Sequence, residues 1–189
     1  VALIAIPTFV LFVSRPTEAL PEQKGAVDVV PTPGVPGAQH WHASLVVYVN
    51  GKAFNFLDKK YMLQSKLVHF EDNDPYIVHK HTTGVTIPYF LSTLKVFMDN
   101  SCIDFQNLEV PEKYCTNATN TLRFLVNGEE VKDPVHYDIQ HNDHYLVYYG
   151  PLSGIQLKFL SNQVPNVPEF KEKTVEDLEA ELRDGGFLK

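Results

Sequence analysis

Two Asn-Gly dipeptides, Asn50-Gly51 and Asn127-Gly128, constrain this chain more than any other feature. Each is embedded in apolar-rich runs, "SLVVYVNGKAFNF" and "TLRFLVNGEEV". A two-residue hairpin turn needs positive φ at both central positions, and Asn followed by Gly supplies it at least strain. The chain is therefore expected to be built on β-hairpins. "KLVHFED" and "YIVHKHT" read as two further strands split by the acidic turn "DNDP". "YDIQHNDHYLVYYG" ends in a strand in which Tyr145, Val147 and Tyr149 alternate with Leu146 and Tyr148.

One helix interrupts the strands. In "TIPYFLSTLKVFMDN", Ile87, Phe90, Leu91, Leu94 and Phe97 recur at helical spacing as a single apolar stripe. Thr86 reads as its N-cap, and Pro88 is tolerated in the first turn. A hairpin, a helix crossing the sheet and returning strands predict an α+β fold: a β-grasp-like mixed sheet with one packed helix and an N-terminal membrane anchor. A β-sandwich with an inserted helix is the competing architecture. Such fold-level analogy carries no function.

The anchor is expected in "VALIAIPTFVLFV", residues 1–13, which is too short to span the ~30 Å apolar core of a bilayer by itself. With no initiator Met and no basic flank, it reads as the outer part of a signal peptide or signal anchor, and the lack of a small-x-small cleavage site favours a retained anchor. Residues 14–39 hold five prolines and three glycines and read as a tether. Residues 40–150 form the extracytoplasmic α+β domain. Residues 151–189 form a C-terminal strap and a short helix, with Thr174 and Asp177 as its cap and Val175, Leu178 and Leu182 as its docking face. The only two cysteines, Cys102 and Cys115, flank "IDFQNLEVPEKY". A disulfide closing such a loop contributes about 3 kcal/mol on the chain-entropy model. Asn117-Ala118-Thr119 is a glycosylation sequon at Asn117. Anchor, paired cysteines and sequon together place the domain on the extracytoplasmic face of the cell membrane. The formal charge of -7 and the absence of a Lys/Arg cluster exclude a nucleic-acid groove. The partners expected are the membrane and other membrane or envelope proteins.

Eight histidines are many for 189 residues, and they are grouped. On a strand, residues i and i+2 share a face. His40 and His42 therefore project together, as do His79 and His81. Neutral imidazole suits zinc, copper, nickel and iron. Two such pairs on neighbouring strands would supply four nitrogens to one ion. His69 is an additional candidate ligand, and Glu71 on its face is a further ligand or a carboxylate that fixes an imidazole tautomer. The bland alternative is a polar strand face beside aromatics such as Trp41. His136, His141 and His144 read as turn residues that complete a site only if the final strand lies beside the first.

The sequence contains no P-loop, no dinucleotide fingerprint and no nucleophile elbow. A closed zinc site lacks thiols, and a blue-copper site lacks a free Cys. No catalytic residue is assigned. A metalloenzyme with an open coordination position ranks below a metal-holding domain and below an interaction subunit.

At "HWHASLVVYVNGK", "HFEDNDPYIVHKHTTGVTIPYFLSTL" and "LRFLVNGEEV...HNDHYLVYYG" the chain resembles a group of membrane-anchored, extracytoplasmic proteins of archaea, especially ammonia-oxidising lineages, with distant bacterial kin. The resemblance spans most of residues 40–150. It rests on His40, His42, His79, His81, Cys102 and Cys115. It implies an exported, anchored domain and supplies no activity. The copper-rich enzymology of such organisms makes copper the first metal expected, with zinc second. The function expected is a non-enzymatic histidine-rich metal-binding domain, or alternatively a structural subunit of a membrane or envelope complex.

Overall fold

The computed structural model describes residues 29–169. The expected anchor at 1–13, the first part of the tether and the helix beginning at Thr174 lie outside the described residues. Among those described, no helix is long and apolar enough to cross a membrane.

The expected first hairpin pairs β1 (Trp41–Val49) with β2 (Lys52–Ala53). Asn50 and Gly51 hold φ of 50° and 79°, the paired positive values that the two-residue turn requires. β3 (Val68–His69) and β4 (Ile77–Lys80) follow as a shorter antiparallel pair, and β4 then lies antiparallel to β1. The second Asn-Gly turn, with φ of 52° and 83°, joins β8 (Thr121–Val126) to β9 (Glu129–Glu130). The last strand, β10 (His144–Gly150), fits between β1 and β8, parallel to the first and antiparallel to the second. The large mixed sheet therefore runs β3-β4-β1-β10-β8-β9. A second sheet comprises β5 (Val96–Met98), β6 (Cys102–Phe105) and β7 (Glu112–Cys115). Cys102 and Cys115 are direct cross-strand partners there and form the expected disulfide. The fold is thus α+β, with most of the core contributed by sheet.

Helix α1 (Ile87–Thr93) is shorter than its apolar stripe suggested. Thr86 caps it through Oγ1, which accepts from the Tyr89 N–H, and Ile87, Phe90, Leu91 and Leu94 are buried as expected. Lys95 then adopts φ of 58°, which ends the helix, and Val96 and Phe97 pair with β6 instead. Phe97 is consequently half exposed and leaves the stripe. The C-terminal strap contains a further helix, α2 (Gly154–Ser161). The end of the tether docks on its own domain: Gly34 and Gly37 donate to the carbonyls of Thr83 and His81. Gly84 faces this segment so closely that a Cβ would lie 2.2 Å from the Thr32 carbonyl oxygen. The ordered unit therefore begins upstream of His40.

The period-two alternation of β1 separates two cores. Ala43, Leu45 and Val47 face α1 and the small sheet. Val46, with Leu125, Leu146 and Tyr148, faces Leu157 of α2. Lys80 belongs to the first side, although charged. It is fully buried, donates to Asp138 Oδ1 at 2.9 Å and to the Ile139 carbonyl at 2.6 Å, and lies 4.8 Å from the centre of the Trp41 ring. Burial lowers its pKa, opposed by its Asp138 partner. Asp138 also accepts from the Val85 N–H.

Removing that carboxylate strands a buried ammonium. Asp138→Ala should destabilise the domain by about 3 kcal/mol or more. Glu129→Ala, which removes the partner of an exposed lysine (Lys158), should cost under about 1 kcal/mol. Urea denaturation of the two variants beside wild type measures both.

Candidate metal centre

The site is a consequence of strand register. His42 on β1 is the direct partner of His79 on β4, and His79 is the direct partner of His69 on β3. Three imidazoles therefore lie in one row across three strands. One step outward, Trp41 pairs with Lys80, so His40 and His81 are next in line and form a second row. The residues between them, Trp41, Val68, Val78 and Lys80, project into the opposite core. Each H-x-H pair thus shares a face, as its spacing required, and the register puts both pairs on the same one.

The rings touch. Centroids are 4.6 Å apart for His42 and His79, 4.8 Å for His40 and His42, and 4.9 Å for His40 and His81. One donor atom from each of His40, His42 and His79 lies within 4.8 Å of the others. These three residues can hold a metal ion. His42 and His79 are buried, while His40 is exposed and opens the group to solvent.

Three protonation features prepare this group. Burial, and then the neighbouring histidines, push the His42 pKa down to about 3. Burial likewise pushes His81 to about 4 and lowers His79. These imidazoles are neutral at pH 7 and carry the lone pair that a metal needs. Glu71 stands behind them: its Oε1 is 3.0 Å from His79 Nδ1, and its Oε2 is 3.2 Å from His69 Nε2. A carboxylate beside one ring nitrogen favours the tautomer with its hydrogen there and fixes the ring's orientation, as in carboxylate–histidine–metal arrangements. The hydrogen bond from His69 holds the Glu71 carboxyl down at about 2.

His69 differs from the other expected ligands. Its Nδ1 lies 2.7 Å from the Ser65 carbonyl and its Nε2 faces Glu71, so both ring nitrogens meet acceptors. Burial opposes its charge, but these hydrogen bonds outweigh burial and raise its pKa. His69 supports Glu71 rather than the three-histidine group. His81 is adjacent to both rows, with its ring 4.9 Å from that of His69 as well as that of His40.

His141 is a participant that spacing alone did not select. β10 does lie beside β1, the condition stated for the third histidine group. The His42 N–H donates to His141 Nδ1 at 3.2 Å, and the Asn142 N–H donates to the His42 carbonyl at 2.8 Å. Accepting through Nδ1 puts the His141 hydrogen on Nε2, so the ring steadies the start of β1 and is not a ligand in this arrangement. Asp143 pins the same turn by accepting from Asn127, Tyr137 and Tyr145. His136 instead pairs with Asp133, away from the cluster. Asn117 is exposed beside the small sheet, with its Nδ2 donating to the Tyr149 hydroxyl.

The pH dependence follows from these shifts. Unfolded, His42, His79 and His81 titrate near 6.5; folded, they resist protonation until lower pH. Between pH 6.5 and about 4 the unfolded chain binds more protons, so acidification removes stability. His69 acts in the opposite sense, its contribution being full below 6.5 and lost as pH rises through its higher folded value. Three histidines against one should make the metal-free chain less stable at pH 5 than at pH 7. Urea midpoints at the two pH values test this, and replacing His42 and His81 by Phe should shrink the difference. Equal midpoints for wild type would contradict the assignment of neutral, buried imidazoles.

Comparison with known proteins finds no match: no family model, no curated protein and no solved structure matches this chain.

Proposed function

We propose that this chain is a non-enzymatic, membrane-anchored, extracytoplasmic domain that holds or delivers copper, with zinc as the alternative. The observation that carries the reading is the convergence of His40, His42 and His79 donor atoms within 4.8 Å on adjacent strands. Imidazole is the donor on offer, because both cysteines are tied up in the Cys102–Cys115 disulfide. Among first-row divalent ions, nitrogen sites bind Cu²⁺ most tightly. The disulfide, the Asn117 sequon and the apolar residues 1–13 support an oxidising, membrane-apposed location. Parallel pairing of the first and last strands supports a β-grasp-like classification. The resemblance to anchored archaeal proteins is in keeping with this reading.

Neutral donors predict an acid-resistant site. Ordinary histidine sites lose metal as pH falls through about 6.5, because protons compete for the lone pair. With His42 held near 3 and His79 also lowered, protons compete less at two of the ligands, and retention should extend below pH 6.5. The measurement is elemental analysis of full-length, untagged protein from its native membrane, followed by dialysis at stepped pH. One or more copper or zinc ions per chain, lost when His40, His42 and His79 are all Ala and the fold is kept, is the expected result. No uptake at micromolar metal ends the proposal.

A specific surface favours the second reading, an interaction subunit of an envelope complex. Ile155 and Phe159 of α2, one helical turn apart, are 85% and 68% exposed. Under this reading a stoichiometric partner co-purifies, survives loss of the paired histidines, and is released by Ile155→Asp with Phe159→Asp.

A further inference from the structure

The histidine face carries more donors than one ion uses. A zinc ion takes four ligands, and copper(II) takes a similar number of strong ones. His40, His42 and His79 form the group already described. His69, Glu71 and His81 remain beside it, on the β3 side of the same face.

We propose that His69, Glu71 and His81 form a second cation position, so that the cluster takes two divalent ions of the imidazole-preferring kind, zinc or copper(II). This rests on the metal-holding reading of the first group and extends it. Three observations carry it. First, His69 Nε2 and Glu71 Oε2 stand 3.2 Å apart. Two donors each about 2.1 Å from one ion and subtending about 100° stand about 3.2 Å apart. The pair therefore has the spacing of neighbouring ligands, and an ion entering there takes the place of the hydrogen that now lies between them. Second, His81 Nε2 is buried and has no hydrogen-bond partner among the described residues. A buried polar atom left in that state is destabilising, and coordination would satisfy it. Its ring is 4.9 Å from the His69 ring. Third, Glu71 reaches both groups, with Oε1 toward His79 and Oε2 toward His69. A carboxylate so placed offsets the charge of two adjacent cations and links them.

The second position is less closed than the first, since only His40, His42 and His79 converge within 4.8 Å. His81 must swing toward Glu71 on loading. The second ion should therefore bind more weakly, and the two equivalents should separate in a titration.

The test is calorimetric titration of full-length, untagged, metal-free protein with zinc, with the bound metal counted after gel filtration. Two ions per chain are expected for wild type. His69→Ala with His81→Ala should keep the tighter ion and lose the weaker. The exposed His40→Ala should weaken the tighter ion and spare the other. Circular dichroism establishes that each variant is folded. A copper(II)-loaded sample should show dipolar broadening in its electron paramagnetic resonance spectrum at two equivalents and not at one. One ion in wild type overturns the second position and leaves the first intact; no ion overturns both. Two ions that persist in the His69/His81 variant, or two coppers without magnetic coupling, also overturn it.

Discussion

The parallel pairing of β1 with β10 is the contact on which the rest of this structure depends. It joins Ser44–Val49 to His144–Tyr149, a hundred residues later, in unbroken register. Closing a loop of that size costs entropy that local contacts do not repay, so the pairing needs long apolar strands on both sides. Both strands supply them: Leu45, Val47, Tyr145 and Val147 on one face, Val46, Leu146 and Tyr148 on the other. With β10 on one flank of β1, its other flank is free for β4, and that flank is where the histidines meet. The same pairing carries the turn at Gln140–Asp143 to the start of β1, where it takes up the His42 backbone.

Burying imidazoles in a sheet is a thermodynamic burden unless something offsets it. The cluster keeps the cost down by holding most of its rings neutral, since desolvating a neutral ring is far cheaper than desolvating a cation. His69, whose surroundings favour charge, is matched by Glu71, which is held ionised. His69 and Glu71 thus favour one another's charged forms beside rings that burial keeps neutral. A purely structural sheet has no need of this arrangement: valines in the same positions would pack on the same face without it. Residues that break the apolar pattern at a stability cost are most economically explained by a task.

Much of this was legible in the chain, for identifiable reasons. Period-two alternation fixed that His40 and His42 share a face, and that His79 and His81 do, because that depends only on strand geometry. The two Asn-Gly turns were legible because their backbone angles are restrictive. The stripe of α1 was legible from Ile87 to Leu94 but misled at Phe97. A positive φ at Lys95 carries no strong residue signal, and the strand pairing of Val96–Met98 is a tertiary effect. His141 could be placed only conditionally, because its position depends on which strands are neighbours, and a parallel pairing between chain ends leaves no local trace. The docking of Pro31–Gln39 was hidden, since a proline-rich stretch reads alike whether it floats or lies on a surface. α2 was obscured by its composition: with Ile155 and Phe159 exposed and Leu157 buried, it has no clean apolar face.

The way the ligands are mounted bears on what such a site does well. A sheet fixes its Cα positions through hydrogen bonds on both sides of each strand, so imidazoles carried on β1 and β4 arrive with little backbone freedom to lose. Pre-organisation of that kind favours tight binding. His40 stands apart because it sits at the first position before β1, exposed, with its ring against His42 and His81. It is open to solvent where His42 and His79 are buried. Two buried donors and one exposed donor within 4.8 Å of one another form a group that can hold an ion. A closed structural zinc site has four protein ligands; three histidines with one of them exposed leave a side of the group open to solvent.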